Sequence, residues 1–473
     1  MIIGQSSPQQ AALLAKAGRS TLDDVFRRSV TRRADAIALA DPPNAAAVTG
    51  AAPRRLTFAQ ADRMITAVAG RLRHLGLQTD QIVALQMANT VDAVVALLGI
   101  LRAGLIAMPL PLLWRQADCV AALNRVGARA LMVSGRIGGV DHCELAMHVA
   151  AEVFPIRQVC GFGPGVGDGV IGFDELYEAQ VPEPPPAITR SVNPAAHAAI
   201  ITWDVGAEGP VPVVRNHFEL LAAGAAVTLE SRIEPSAVIL SSLTLPSLAG
   251  LGLGLVPWLL IGGTLALHHP FDDAAFMAQC RAEQPTVAVV PAPLALRLGE
   301  TEALSRDNGL KTVIAAWRAP ERMASSPNWI EPAIGFVDVP VFGEAALFAA
   351  RRGGNGRPAP LALGPVTAPR SAPGALQVIE LDRTPAGTLA VRGPQVPRFR
   401  LPFELDPAAK PAFAVGPDGF ADTGYPCTVD PASHAVAIAG APAGSVGVGY
   451  RFGERALAEL MAGTPRKLAM GGF

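Results

Sequence analysis

Over the first 290 residues, short apolar runs alternate with stretches whose apolar positions fall at helical spacing. Ala36-Ile37-Ala38-Leu39-Ala40 follows a short helical segment marked by Leu22, Val25 and Phe26. After Leu56-Thr57-Phe58, with Thr57 at the N-cap, apolar positions 61, 64, 65, 68, 69, 72 and 75 predict a helix that Gly76 ends. Ile82 to Met87 predicts a strand, and Asn89 or Thr90 caps a helix over 91–103 that Gly104 stops. Leu105 to Leu110 and Ala130 to Val133 predict two more strands, with a helix at about 115–126, ended by Gly127, between them. Strands separated by whole helices pair in parallel, and a parallel sheet needs cover on both faces.

The same order returns after a Pro-rich linker, Val181 to Ala187. Ala198 to Ile201 and a helix from Phe218 come first. Val238 to Ser241, a helix near 248–261, Gly263 to Leu267, a helix at 272–283 and Thr286 to Val290 follow. From Gly353 the chain is dense in Gly, Pro and Arg, with β-like runs at 376–380 and 387–391, which predicts a small β-rich unit. The expected class is α/β, with two stacked parallel-sheet units at about 21–190 and 191–350 and a β-rich unit over 351–440. From Pro235 to Leu267 no residue is charged, a length that could span a bilayer. Pro246, Pro257 and glycines 250, 252, 254, 262 and 263 break the stretch, and no Lys/Arg cluster or aromatic belt flanks it. It therefore reads as a buried helix followed by a buried strand.

Trp203 to His217 lies between an apolar run and a helical pattern, the layout of a phosphate-binding loop. Gly206 and Gly209 allow a tight turn. No Lys, Ser or Thr lies between Trp203 and Val214, and Glu208 puts a negative charge where a phosphate would sit. Alone, the stretch reads as a surface turn.

The 473 residues suffice for two to four domain-sized units and a large core. A net charge of −1 excludes the electrostatic footprint of a nucleic-acid or anionic-membrane binder. The cysteines at 119, 143, 160, 280 and 427 form no Cys-x-x-Cys pair, which fits a reducing cytoplasm and no structural metal. Met1 to Pro8 has no basic region followed by an apolar core, so no signal peptide is expected. His142, Cys143 and His148 match no four-ligand zinc spacing and read as a helix with incidental histidines. His268-His269 read as solvent-facing, Gly161 to Gly165 as a loop, and Arg351, Arg352 and Arg357 as a solvated basic turn. No Gly-x-Ser-x-Gly elbow is present, which argues against a hydrolase.

Several strings, in this order, resemble the adenylate-forming superfamily of acyl-CoA synthetases, luciferases and peptide-synthetase adenylation domains. Leu72 to Pro109, with Leu-Gly-Leu at 75–77, Asn89 and Ala96 to Gly104, is similar to its early signature. Ala249 to Leu267 is similar to its buried helix–strand pair. Val391-Arg392-Gly393-Pro394-Gln395-Val396, and Asp418-Gly419-Phe420 with Thr423-Gly424, match two later strings. The resemblance runs from about Thr21 to Gly440. It implies a large domain over 1–440 and a remnant of the mobile C-terminal domain over 441–473.

The resemblance carries over site residues only where this chain supplies them. Anchored on Val213-Val214-Arg215-Asn216-His217, the family's T-S-G-T-T-G-x-P-K-G loop falls on Trp203 to Pro212. Gly206, Gly209 and Pro210 would lie in it, with Val211 at the Lys position and Val205 and Glu208 at two Gly positions. The aromatic-Gly-x-Thr-Glu motif for adenine and magnesium falls on Phe342-Gly343-Glu344-Ala345-Ala346, where Glu344 replaces the lost Glu only if the loop shifts by two residues. The ribose-binding Thr-Gly-Asp reads Thr423-Gly424-Tyr425, the hinge Gly-Arg reads Gly440-Ala441 with Gly444 in place of the hinge Asp, and an acyl-pocket His is Ser247. Lys467 is weakly similar to the C-terminal catalytic Lys and reads as an exposed terminal residue. A ligand cleft is expected between the second α/β unit and the β-rich unit, near Ser247, Ala315-Ala316-Trp317, Phe342-Gly343 and Tyr425.

Two functions follow from the resemblance. In one, the chain is a divergent AMP-dependent acid–AMP or acid–CoA ligase using ATP and magnesium, weakened by its eroded motifs. In the other, it is a non-catalytic pseudoenzyme that binds a small carboxylic acid, an acyl ligand or a protein partner. No metal ligand, nucleic-acid partner or membrane span is expected, and the sequence does not assign catalytic residues.

Overall fold

In the computed structural model, the apolar runs become strands flanked by parallel neighbours. It describes residues 18–177, 193–206, 209–300, 309–370, 375–398 and 415–442, with a few short pieces between. Ile82–Gln86 pairs in parallel with Ile106–Pro109 on one side and Ala130–Ser134 on the other, and is buried throughout. Burial on both faces is why these runs show no polar alternation.

The first sheet has seven strands. Their spatial order is Gly209–Asn216, Ala198–Gly206, Ile106–Pro109, Ile82–Gln86, Ala130–Ser134, Gln158–Phe162 and Ile171–Gly172. The second sheet runs Ala346–Leu347, Gly335–Phe342, Thr312–Trp317, Val287–Pro291, Val238–Ser241, Thr264–Leu267, Ile37–Ala40 and Arg55–Thr57. Its central strands are parallel and its edges antiparallel. The third sheet, six antiparallel strands between Leu361 and Ile438, forms the β-rich part.

One apolar layer fills the space between the two larger sheets. Val83 and Leu85 of the first and Leu265, Val289 and Ile314 of the second belong to the same buried cluster. Helices Phe58–His74, Val91–Arg102 and Val256–Ile261 contribute to it. Every residue of Val91–Arg102 is buried, as expected of a helix apolar on all sides. Its one cation, Arg102, is held by Asp23 and Asp62 at 2.7 and 2.8 Å.

Sheet membership does not follow chain order. Leu39 pairs with Leu265, so Ile37–Ala40 lies in the second sheet together with Arg55–Thr57, although the strands that follow, from Ile82 to Phe162, build the first. Ile200 pairs with Ala107, so the strands after the Pro-rich linker lie in the first sheet rather than the second. An apolar run specifies a strand but not its partner, and these pairings are long-range. The linker itself lies mostly outside the described residues.

Trp203 to His217 is not a strand, turn and helix. Ala198–Gly206 and Gly209–Asn216 form an antiparallel hairpin with Gly206 opposite Gly209. Helix His217–Ser231 begins only after it, with the Asn216 side chain accepting the Glu219 N–H. Pro210 and Pro212 argue against a strand, yet this strand is the sheet edge, where a missing N–H costs little.

Other expectations fail by burial. His268 is 0% exposed; its Nδ1 lies 3.0 Å from Gln279 Oε1, and its ring packs edge-on against Phe271 and Phe276. His269 is buried as well. Gly161 and Phe162 end a strand rather than form a loop. Arg352 is a core residue, whereas Arg357 is exposed as expected. His142, Cys143 and His148 do lie on one helix, His142–Glu152. The helix near 248–261 forms with a π-turn at Leu251–Leu255, and the strand Thr264–Leu267 follows it, buried at three of four positions. Among the described residues no helix is long and apolar enough to cross a membrane.

Candidate functional site

Four segments converge where the second sheet's parallel strands end at their carboxyl termini. They are the hairpin Ala198–Gly206/Gly209–Asn216, Ser247-Leu248, the turn after Gly335–Phe342, and the strand Ala421–Val429. Period-two alternation puts Thr202, Asp204 and Arg215 on one hairpin face, while Ile201, Trp203 and Val214 pack into the first sheet's core. Trp203 meets Trp114 edge-on, with ring centroids 5.6 Å apart.

The centre is an internal ion pair. Arg215, 1% exposed, donates through Nη1 to Thr202 Oγ1 at 3.3 Å and through Nη2 to the backbone carbonyl of Glu344. Its Nη1 also lies 3.6 Å from Glu344 Oε2. Both oxygens of the Glu344 carboxylate accept the Leu248 N–H, at 3.1 and 2.9 Å. Asp204 Oδ2 accepts the Glu344 N–H at 3.0 Å. Burial pushes the Glu344 carboxyl up to about 7, against the opposing pull of Arg215. Burial likewise lowers the Arg215 pKa, against the attraction of Glu344.

The β-rich sheet closes the other side. The Tyr425 hydroxyl accepts the Gly343 N–H at 3.1 Å, and its ring meets Phe342 edge-on at 5.4 Å. Gly343 is required: its φ is +54°, and a Cβ there would meet Asp204 Oδ2 at 2.6 Å. Thr423 is buried and donates to Leu389 O at 2.7 Å. The nearest acidic side chain in sequence, Asp422, accepts from Thr388 Oγ1 and the Gly424 N–H at 2.7 and 2.8 Å.

Ser247 caps the turn Leu248–Gly250 and accepts from Arg318 Nη2. Trp317 is 4% exposed, and its indole N–H donates to the fully buried Asp338 at 2.7 Å. Its polar edge is therefore committed inside the second sheet, and the next residue, Arg318, reaches the site. Val211 stands opposite Asp204 in the hairpin, on the face of Arg215. Ala346 is 0% exposed and paired with Phe342. Pro210 offers its carbonyl to Arg125 on the neighbouring helix at 2.6 Å. Gly206 and Gly209 pair across the hairpin end, while Glu208, Gly444 and Lys467 lie outside the described residues.

The structure thus brings Ser247, Phe342, Gly343, Glu344 and Tyr425 together, and adds Thr202, Asp204, Arg215 and Arg318. Sequence reading passed over Arg318, whose signal was its place directly after a buried parallel strand. Among the described residues no group of His, Cys, Asp and Glu is arranged to hold a metal ion.

The profile of the family described as AMP-binding enzyme matches residues 26–328. Long-chain fatty acid transport protein 2 of Rattus norvegicus is 28% identical over 269 residues, covering 55% of this chain and 42% of that protein. The match thus spans less than half the length of that relative. The anthranilate CoA ligase AuaEII, solved with anthranoyl-AMP, superposes with a TM-score of 0.70 at 16% identity, covering 89% of this chain and 78% of that one. ATP-bound MatB of Rhodopseudomonas palustris superposes at 0.64 with 18% identity, covering 89% and 79%. These structural likenesses establish the fold: two parallel sheets around a shared helical layer, joined to an antiparallel β-rich sheet. With a family profile matched over more than half its length, the chain belongs to the AMP-binding enzyme family.

Proposed function

We propose that this AMP-binding, ligase-like protein holds a small acyl or carboxylic-acid ligand where the second sheet meets the β-rich sheet, beside Ser247, Phe342 and Tyr425, and adenylates it weakly or not at all. The observation that carries this is the Arg215–Glu344 pair. A site for ATP needs cations aimed at phosphate oxygens and a carboxylate aimed at a metal. Here the buried cation lies 3.6 Å from the buried carboxylate, and that carboxylate is also occupied by the Leu248 N–H.

The replaced positions support the same reading. Val211 stands at the place of the loop Lys, Ala346 at that of the motif Glu, and Tyr425 at that of the ribose-binding Asp. Losing one preorganised donor of this kind costs about 3–4 kcal/mol in the transition state. Such losses are not additive, but two suffice to bring a rate near background.

The second reading is an active ATP- and magnesium-dependent acid–CoA ligase. The ATP-bound relative of the same fold favours it. Titration with magnesium-ATP and with a non-hydrolysable acyl-AMP analogue, beside an assay of acid-dependent pyrophosphate release over fatty and aryl acids, separates the two. The expected outcome is analogue binding without pyrophosphate release. Turnover at ordinary enzyme rates, abolished by Glu344→Ala, overturns it.

A further inference from the structure

We infer that an apolar cleft at the carboxyl ends of the first sheet's strands holds the unbranched hydrocarbon tail of the ligand. The inference rests on the reading of the neighbouring site as one for an acyl or carboxylic-acid ligand. Three elements build the cleft. Leu85 and Pro109 are a parallel pair at the ends of strands Ile82–Gln86 and Ile106–Pro109. Ala93 and Leu97 lie one turn apart on helix Val91–Arg102. Leu245 and Pro246 come from the segment after strand Val238–Ser241.

Site and cleft continue one another along two lines. Ile200 pairs in parallel with Ala107. Two residues further on, and on the same face, that register sets Thr202 of the site beside Pro109 of the cleft. Leu85 stands next to Pro109 on the following strand. Thr202, Pro109 and Leu85 thus form a row across the first sheet. The row faces the layer shared with the second sheet, to which Leu85, Ala107 and Ile200 belong. Two strand spacings, about 10 Å, separate its ends. The second line is the chain itself, because Leu245-Pro246 runs directly into Ser247 of the site.

The lining decides what the cleft takes. All of its residues are apolar, so hydrocarbon gains by entering and a charged or polar end does not. The enclosed part has room for about one methyl group. A ring does not enter such a slot, whereas the end of a straight chain does. Met87, also in the lining, is unbranched and can re-seat as a chain arrives.

The test uses the full chain and calorimetry. The probes are butanoic, hexanoic, octanoic, hexadecanoic and benzoic acids, with octanol as a tail that has no carboxylate. Affinity is expected to rise about fourfold per methylene from hexanoic to octanoic acid, and to gain nothing further at hexadecanoic acid. Ala93→Leu fills the cleft and is expected to cut the ratio of octanoate to butanoate affinity about tenfold or more. Leu97→Ala deepens it and moves the optimum to decanoic acid. The two variants shift the preference in opposite directions, which a loss of folding does not imitate. Acids that bind with no dependence on length overturn the cleft and leave the acid reading of the site in place. Octanol bound by wild type and lost in Ala93→Leu, with no acid bound, supports the cleft and overturns the acid reading instead. Failure of wild type to bind octanol, hexanoic acid and octanoic acid overturns the cleft whatever the variants do, and benzoic acid bound in that case keeps the acid reading. An equal length preference in wild type and in both variants overturns the cleft too.

Discussion

Glu344 and Leu248 are joined by a three-centre hydrogen bond, the Leu248 N–H lying 3.1 Å from one carboxylate oxygen and 2.9 Å from the other. The turn that carries Glu344 is pinned on both sides, by Asp204 at its own N–H and by Tyr425 at the N–H of Gly343. Three elements distant in sequence thus hold one carboxylate against Arg215. Truncation at Glu344 leaves Arg215 buried without its acid, a loss of about 3–5 kcal/mol. Acetate or formate at high concentration is expected to restore part of the lost thermal stability of Glu344→Ala by occupying the vacated seat. Differential scanning calorimetry with acetate against chloride reads this, and absence of rescue argues that the pair is not the main hold on the turn.

The pH dependence of Glu344 has a definite sign. Its carboxyl titrates near 4.5 when unfolded and at about 7 when folded, with burial as the first cause. The folded chain therefore holds more protons between those values. The contribution of Glu344 to stability is full below about 4.5 and is lost as pH rises through about 7. Asp92 and Glu219, each pushed up to about 7 by burial, act in the same direction. His217 and His269, lowered to about 3 and about 4, act in the opposite one, so the wild-type profile is a sum of opposing slopes. The informative measurement is a difference: Glu344→Gln gains stability relative to wild type as pH rises from 5 to 8. A flat difference in urea unfolding over that range rejects the assignment.

Burial holds His217 neutral, lowering its pKa to about 3, and its ring also accepts a hydrogen bond. The Leu22 N–H donates to its Nδ1 at 3.2 Å, where the start of helix Leu22–Arg33 meets the start of helix His217–Ser231. An imidazolium has no acceptor to offer. The His217 ring resonances are expected to show no inflection between pH 5 and 8. His217→Ala should cost about 1–3 kcal/mol through the unsatisfied Leu22 N–H. A titration midpoint near 6.5 in the NMR spectrum refutes the bond.

Within the second sheet, Asp338 holds Trp317 at 2.7 Å and Arg352 at 2.9 Å through each oxygen, and both charged side chains are essentially unexposed. Asp338→Ala leaves Arg352 unpaired in the core, at a cost of about 3–5 kcal/mol. Denaturant unfolding of the variant checks this, and a loss under 1 kcal/mol would mean that Ser326, Pro327 and Gly356 hold Arg352 unaided.

Elements were legible in the chain where local signals act alone. Val91–Arg102, Val238–Ser241 and Ala130–Ser134 fall within a residue of where spacing, caps and apolar runs put them. Long-range pairing was not legible. Nothing near Leu39 says that its neighbour is Leu265, and Pro210 and Pro212 hid an edge strand. Charged groups that pair internally were misread for the same reason. Arg352 resembles a solvated basic residue until Asp338 is known to sit beneath it. In the site, Phe342, Gly343 and Tyr425 came from family strings. The Arg215–Glu344 contact spans 129 residues and has no local signature.

Charged residues placed at positions 211 and 346 are expected to have different outcomes. Val211 is half-buried on the edge strand of the hairpin, opposite Asp204. A lysine there can run its methylene stem along the strand, keep its ammonium in water and meet the Asp204 carboxylate. Val211→Lys is therefore expected to stay folded, within about 1 kcal/mol of wild type. Ala346 is different. It is fully buried beside Phe342 and Phe348, with Leu347 next to it held by the Gln395 amide. A glutamate there is overpacked and brings a carboxylate with no cation to meet it, because Arg215 already has Glu344. Ala346→Glu is expected to lose several kcal/mol or fail to fold, and Glu344→Ala in the same chain to relieve part of the loss by freeing Arg215. Expression, circular dichroism and urea unfolding of the two single variants and the double variant decide this. If Ala346→Glu folds as well as wild type, the turn tolerates a second carboxylate beside Glu344.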